Sequence, residues 1–178
     1  MNRADYASPL GDLALFTSDG CLTGVYFADE AHCPPAPRHS SQNTSRATAQ
    51  ARAWLDEYFA GEIPTWTPPV RLNGTPFQLA VWEVLKTIPY ASTTTYGEVA
   101  RALGTRAFQA VGAAIGRNPV SIIIPCHRVV ASDGTPGGYA GGVDRKQRLL
   151  NFEKATALSS WVKFTLARHR IFHFPTPK

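Results

Sequence analysis

Cys126 and His127 stand side by side in the stretch Ser121-Ile-Ile-Ile-Pro-Cys-His-Arg-Val-Val130, and Glu153 follows further along the chain. A thiol becomes a strong nucleophile only as thiolate, which needs a base or a positive charge close by. Neighbouring side chains on an extended strand point apart, so adjacency alone does not make a dyad. A buried cysteine beside a histidine is also an ordinary core arrangement. Glu153 adds the missing part. In a helix opened by Asp144-Arg-Lys-Gln147 it shares a face with Leu149 and Leu150, which turns its carboxylate toward the core. A carboxylate out of water requires a donor. His127 is the natural one, and a Glu–His pair would fix the imidazole tautomer and raise its basicity. The chemistry this set can do is nucleophilic attack by sulfur.

The elements that must hold these groups read as follows. Ile122 to Ile124 is expected to be a short buried strand ending at Pro125, which cannot donate to a ladder. Leu13–Phe16 and Leu22–Phe27 form a hairpin around the turn dipeptide Asp19-Gly20. Residues 31–44, with three prolines, are a loop. His32, Cys33 and His39 lie there, but their spacing matches no zinc pattern. From Thr48 to Ala60 an apolar stripe of Ala51, Trp54, Leu55, Tyr58 and Phe59 predicts a helix stopped by Gly61. A proline-rich connector follows, with a domain boundary near Leu72. Thr75-Pro-Phe-Gln78 and Thr95-Tyr-Gly-Glu98 are two helix-opening capping boxes. The second starts a short helix, Gly104-Thr105 turns the chain, and a third helix runs over about 107–116. That sequence of elements is a helix-turn-helix.

The third helix carries Ala110, Gly112, Ala113, Ala114 and Gly116, so a wide arc of it lacks side-chain bulk. Such a surface suits close packing or the narrow minor groove of DNA better than base-edge readout in the major groove. Arg101, Arg106 and Arg117 flank it as candidate phosphate contacts. Residues 132–142 form a glycine-rich loop around Tyr139 that lacks the pattern of a phosphate-binding loop. The basic, aromatic tail over 157–178 receives no assignment.

Composition sets the outer bounds. In 178 residues the apolar fraction is 44% and the charged fraction 17%, ordinary for a globular chain and unlike a disordered one. Eighteen Lys and Arg against thirteen Asp and Glu leave a net charge of +5, compatible with a polyanion but not diagnostic of one. No apolar run reaches membrane-span length, and the N-terminus has no secretory h-region. Three widely spaced cysteines fit a reducing cytoplasm, not a disulfide framework.

The string Ile124-Pro-Cys-His-Arg-Val129, preceded by Arg117-Asn-Pro-Val120 and followed by Gly138-Tyr-Ala-Gly-Gly142 and Glu153, resembles the O6-alkylguanine-DNA alkyltransferases, also called methylated-DNA–protein-cysteine methyltransferases. The likeness is close over about 75–154 and looser over 1–72. It implies an α/β (α+β) fold: a small N-terminal β-sheet plus helix domain, ribonuclease-H-like, over 1–72. A mostly helical, winged-helix-like domain with the helix-turn-helix would follow over 73–156, and then the tail.

The resemblance also implies roles. Cys126 would accept the alkyl group, His127 would take the thiol proton through a water, and Glu153 would hold His127. Asn118 would link the helix-turn-helix to the Cys126 segment, and Tyr96 would stand near the flipped phosphate or the guanine N3. The carbonyls of Cys126 and Val129 would accept from the guanine amino group. Tyr139 and Ala140 would cover the base, and Lys146 matches a lysine near the pocket. Gln109, Ala110, Gly112, Ala114, Arg117 and Arg101 would meet DNA. The implied activity is irreversible, stoichiometric transfer from O6-alkylguanine, and from O4-alkylthymine, to Cys126 after base flipping. The implied partner is double-stranded DNA carrying alkylated guanine, met by a monomer that can cluster on DNA. No cofactor, metal or membrane is expected, and the setting is a bacterial-type cytoplasm. Gln109 departs from the family, which usually has Arg there, and Ala140 stands where some relatives have Ser. Two other readings remain: a lesion-binding alkyltransferase-like module, and a Cys–His–Glu hydrolase turning over a thioester.

Overall fold

In a three-stranded antiparallel sheet at the N-terminus, β1 (Asn2–Ser8), β2 (Gly11–Ser18) and β3 (Cys21–Phe27) lie in sequence order. This structure, a computed structural model, describes residues 1–36 and 45–169, with side chains as far as residue 160. His39 and positions 170–178 of the tail lie outside the described residues. The expected hairpin is β2–β3, pairing Leu13 with Phe27 and Leu15 with Val25. Asp19 and Gly20, at φ 48° and 76°, make a turn whose left-handed residues match the strand twist. β1 was not legible from the sequence, because Asn-Arg-Ala-Asp-Tyr-Ala-Ser offers no apolar alternation; its pairing with β2 supplies the order.

β2 is buried from Leu13 to Thr17. Helix α1 (Arg46–Phe59), capped by Ser45 on the Thr48 amide, packs Ala51, Trp54, Leu55 and Tyr58 into the same core. The free edge of β3 does not stay free. Leu22 N–H donates to Pro69 O and Val25 N–H to Pro119 O, both at 2.8 Å. Arg71 N–H and Ser121 N–H return to Leu22 O and Val25 O. Two later segments are thereby laid along the edge that would otherwise invite pairing with another chain. One of them leads into the Cys126 stretch.

The rest is helical. α2 (Pro76–Lys86) and α3 (Tyr96–Ala102) both carry the reciprocal capping boxes read from the sequence. α4 (Phe108–Gly116) completes the helix-turn-helix and opens without a side-chain cap. Two-residue strands β4 (Thr94–Thr95) and β5 (Val129–Val130) pair in parallel. The last helix, α5 (Val143–His169), runs unbroken through position 157, where the sequence reading began a separate tail. Its start also differs from expectation. Asp144 lies inside the first turn instead of capping it, because Gly142 at φ 93° delivers the chain and its carbonyl accepts from Lys146 N–H. The fold is α+β, with one continuous apolar core joining sheet, α1 and the helices. Among the described residues no helix is long and apolar enough to cross a membrane.

The expected strand over Ile122–Ile124 is corrected by the structure. Only Val120 bridges to β3; Ile122 has φ 71° and the chain folds back, with Ile124 N–H on Val120 O and Cys126 N–H on Ile124 O. A short apolar run tells burial but not whether the backbone is extended, and all three isoleucines are buried.

α4 is held to the core by the Trp82 indole, whose Nε1–H donates to Ala114 O at 2.9 Å. Trp82→Phe should leave that carbonyl only the Arg117 N–H at 3.2 Å and lower stability by about 0.5–1.5 kcal/mol, read from the urea midpoint at unchanged slope.

Candidate active site

The fold-back at Ile122 needs a clasp, and Asn118 is it. Its Oδ1 accepts from Val120 N–H at 3.0 Å, and its Nδ2 donates to Ile124 O at 2.8 Å and to Cys126 Sγ at 3.1 Å. A β-branched residue in the left-handed region costs on the order of 1–3 kcal/mol and persists only where the surroundings over-determine it. Here the fully buried Ile122 side chain and the Asn118 bonds do so. The turn ends by placing Cys126 at the start of a 3-10 turn, Cys126–Arg128, with the residue 5% exposed. Burial pushes that thiol up to about 11; the Asn118 hydrogen bond and the Lys146 charge pull down, and the Glu30 carboxylate pushes up again. The resting sulfur is therefore protonated at neutral pH, and a base must take its proton.

That base is next door. His127 is fully buried, its Nε2 2.8 Å from Glu153 Oε1, while Nδ1 has no hydrogen-bond partner among the described residues. Glu153 also accepts from Tyr58 OH, from Ala91 N–H, and from Arg128 through Nε and Nη2 at 2.9 Å. Burial alone would raise the carboxyl, but His127 and Arg128 outweigh it and hold it at about 2. Burial pushes the His127 imidazole below its ordinary value; Glu153 pulls it up, and Arg128 and Lys146 push it down further. The imidazole is thus neutral at neutral pH, so the counter-ion of Glu153 is Arg128. An ionised carboxylate only accepts, so Nε2 carries the hydrogen and the lone pair sits on Nδ1. The expected raising of basicity by Glu153 exists, but desolvation exceeds it.

Arg128 follows His127 directly, but nothing in the linear string says that its guanidinium turns back to Glu153. It is 8% exposed, donates through Nη1 to Ile88 O at 2.7 Å, and lies over the Tyr90 ring at 5.3 Å. Tyr58 belongs to the apolar stripe of α1, and its hydroxyl also reaches Glu153.

Around the sulfur is a cavity of about 540 Å³, lined by Cys126, Tyr96, Asn118, Ser121, Tyr139 and Ala140, and on one side by Gly112, Ala113 and Arg117. His32, read as a loop residue, reaches its rim. Lys146 is buried, donates to Gly138 O at 3.1 Å, faces the Tyr96 ring at 5.8 Å, and is pushed by burial down to about 8. Tyr96 OH also donates to Gly138 O, at 3.3 Å. Burial first, then the Cys126 charge, raises the Tyr96 phenol, so it stays a proton donor. The glycine loop is pinned from the other side by Arg145, which meets Gly141 O, Leu10 O and Asp29 and covers the Phe27 ring at 4.5 Å. A Cβ on Gly141 would come within 2.5 Å of Phe27, so the loop passes the sheet where only glycine fits. Val129 lies in β5 and is fully buried, and it is not among the residues that line the cavity.

On α4, Gln109, Ala110 and Ala113 are exposed and Gly112 half-buried, and Arg101, Arg106 and Arg117 are exposed beside them. Ala114 is a correction: it is 3% exposed and packs inward, its carbonyl on Trp82, because the helix turns that position to the core. Among the described residues no group of three or more His, Cys, Asp or Glu is placed to hold a metal. Cys21 and Cys33 are free and half-buried.

Comparison with known proteins places this geometry among relatives. Residues 1–72 match the family model "6-O-methylguanine DNA methyltransferase, ribonuclease-like domain", and residues 76–155 match "6-O-methylguanine DNA methyltransferase, DNA binding domain". The methylated-DNA–protein-cysteine methyltransferase of Mycobacterium leprae is 42% identical over 158 residues, 88% of this chain and 94% of the relative. The crystal structure of Mycobacterium tuberculosis O6-methylguanine methyltransferase superposes with a TM-score of 0.79 at 38% identity, covering 87% of this chain and 93% of that one. That of Mycobacterium tuberculosis OGT in complex with DNA gives 0.76 at 38%, covering 88% and 94%.

Glu153→Gln should strand the Arg128 cation, 8% exposed, and lower stability at pH 7 by about 3–5 kcal/mol. The folded carboxyl sits below its unfolded value, so its contribution is complete above the unfolded pKa and drains as pH falls toward the folded one. The stability gap between wild type and Glu153→Gln, measured by urea unfolding, should therefore be widest at neutral pH and narrow under acid.

Proposed function

We propose a function from one premise: the chain belongs to the 6-O-methylguanine DNA methyltransferase family. Its activity is that of a methylated-DNA–protein-cysteine methyltransferase, the direct reversal of alkylation damage in DNA. The observation that carries the reading is the Cys126 thiol lining a cavity beside a helix of small residues, next to an imidazole that a buried carboxylate holds at 2.8 Å.

The reaction follows from those parts. DNA approaches the exposed arc of α4, with Arg101 and Arg117 at phosphates. The alkylated guanine leaves the duplex and enters the cavity, at a cost of a few kcal/mol. His127 Nδ1 takes the Cys126 proton through a water. The sulfur forms a bond to the alkyl carbon as the carbon–O6 bond breaks, and the electron pair goes to the guanine. The Tyr96 phenol supplies a proton at N3, which helps the base depart. The carbonyls of Cys126 and Val129 take the guanine amino group, Tyr139 and Ala140 cover the base, and Lys146 holds the loop through Gly138 O. The product is a thioether that water does not cleave, so each molecule reacts once and needs no cofactor. O4-alkylthymine fits the same displacement. The protein acts as a monomer that can cluster on DNA.

A lesion-binding module with weak transfer is the second reading, and Gln109 favours it. This residue stands exposed on α4 where the family usually carries Arg. It is shorter and uncharged, though its amide can hydrogen-bond the cytosine left unpaired when the guanine leaves the duplex.

Intact-protein mass spectrometry after mixing with duplex DNA carrying O6-methylguanine should show the gain of one methyl group, absent in Cys126→Ala. Binding without that gain leaves the module reading; sustained ester turnover would indicate a hydrolase. Gln109→Arg should tighten DNA binding and steepen the log–log salt slope by about one, since one more phosphate charge is met. Unchanged affinity would show that position 109 does not face DNA.

A further inference from the structure

We propose that Tyr58 of α1 is a positioning residue for alkyl transfer, its hydroxyl fixing the Glu153 carboxylate that orients His127. The inference rests on the reading of Cys126 as acceptor. Tyr58 is remote in sequence from the groups that react, and it reaches them from the sheet-bearing half of the chain. Its Oη lies 3.0 Å from Glu153 Oε1, the same oxygen that holds His127 Nε2 at 2.8 Å.

The ring is not free to choose its direction. It stacks on Trp54 at 5.4 Å and meets Phe59, Phe152 and Tyr90 at 5.1, 5.5 and 6.0 Å. Four aromatic neighbours fix the axis along which the hydroxyl points. The phenol is fully buried, and burial together with the Glu153 charge holds it protonated throughout the working range, so it is a permanent donor.

Sharing one oxygen makes the effect chemical as well as geometric. Each donor to a carboxylate oxygen takes up part of its negative charge and so weakens its hold on the others. The titratable and charged groups around the pair are Arg128 and Cys126 from the 3-10 turn, Lys146 from α5, Tyr90 from the segment after α2, and Tyr58 itself. Oε1 also accepts from Arg128 Nη2 at 2.9 Å, while the Ala91 amide donates to Oε2, so the phenol is one of three groups that share the charge of Oε1. Without the phenol, Oε1 interacts more strongly with His127 and stabilises its protonated form. The ring contacts, by contrast, need no hydroxyl.

The variant is therefore Tyr58→Phe, which keeps the ring and removes one oxygen. In a background of Cys21→Ser and Cys33→Ser, two rates are followed against pH: single-turnover methyl transfer from O6-methylguanine duplex, and iodoacetamide alkylation of Cys126 without DNA. The acid limb of each reports the base that takes the thiol proton. In Tyr58→Phe it should move to higher pH by about half to one unit in both assays. A limb that stays in place or moves to lower pH, whatever happens to thermal stability, would mean that Tyr58 only packs, and overturns the proposal. A wild type that transfers no methyl would instead sink the reading of Cys126 as acceptor, while the iodoacetamide limb still judges Tyr58.

Discussion

A carboxylate cut off from water has to be satisfied by the chain, and at Glu153 the donors come from three separate segments. α1 sends Tyr58, the turn after α2 sends the Ala91 amide, and the 3-10 turn sends His127 and Arg128 to a residue on α5. A buried ion pair with unmet hydrogen bonds costs more than it returns, whereas one fully met is rigid. The site therefore depends on the whole fold. Even the backbone yields to it: Ala91 sits at φ 58°, and that residue's N–H is the one that donates to Oε2.

Electrostatics at the sulfur follow from the same burial. Taking the thiol out of water raises its pKa, which keeps it protonated and quiet until a base and a bound substrate act together. Taking the imidazole out of water lowers its pKa, which keeps it neutral and able to accept. Arg128 lets both happen, because it balances Glu153 without asking His127 to be charged. Lys146 and Tyr96 converge on Gly138 O, so the rim of the cavity and its floor share one short stretch of chain.

What the sequence made legible was local. Capping boxes at Thr75 and Thr95, the Asp19-Gly20 turn and the α1 stripe all act within a few residues, and each formed where it was read. The pairing of Glu153 with His127 was also accessible, because helical spacing turned the carboxylate inward and burial demanded a donor. What stayed hidden was long-range or conformational. Three isoleucines say "buried" in a strand or in a turn alike, and the left-handed Ile122 depends on Asn118 and β3. Arg128 and Tyr58 reach Glu153 only once the chain is folded. Ala114 and Ala113 look alike in a smooth helix, but Ala114 falls on the buried stripe with Val111 and Ile115 and Ala113 does not.

The central claim is a protonation state: His127 neutral, with hydrogen on Nε2 toward Glu153 and a bare Nδ1 available to the thiol. Nitrogen-15 NMR of the imidazoles at neutral pH, with His127→Gln used to assign the resonance, measures this directly. The expected result is a pyrrole-like shift at Nε2 and a pyridine-like shift at Nδ1. Two pyrrole-like nitrogens, meaning an imidazolium at rest, or hydrogen on Nδ1 instead of Nε2, would contradict it.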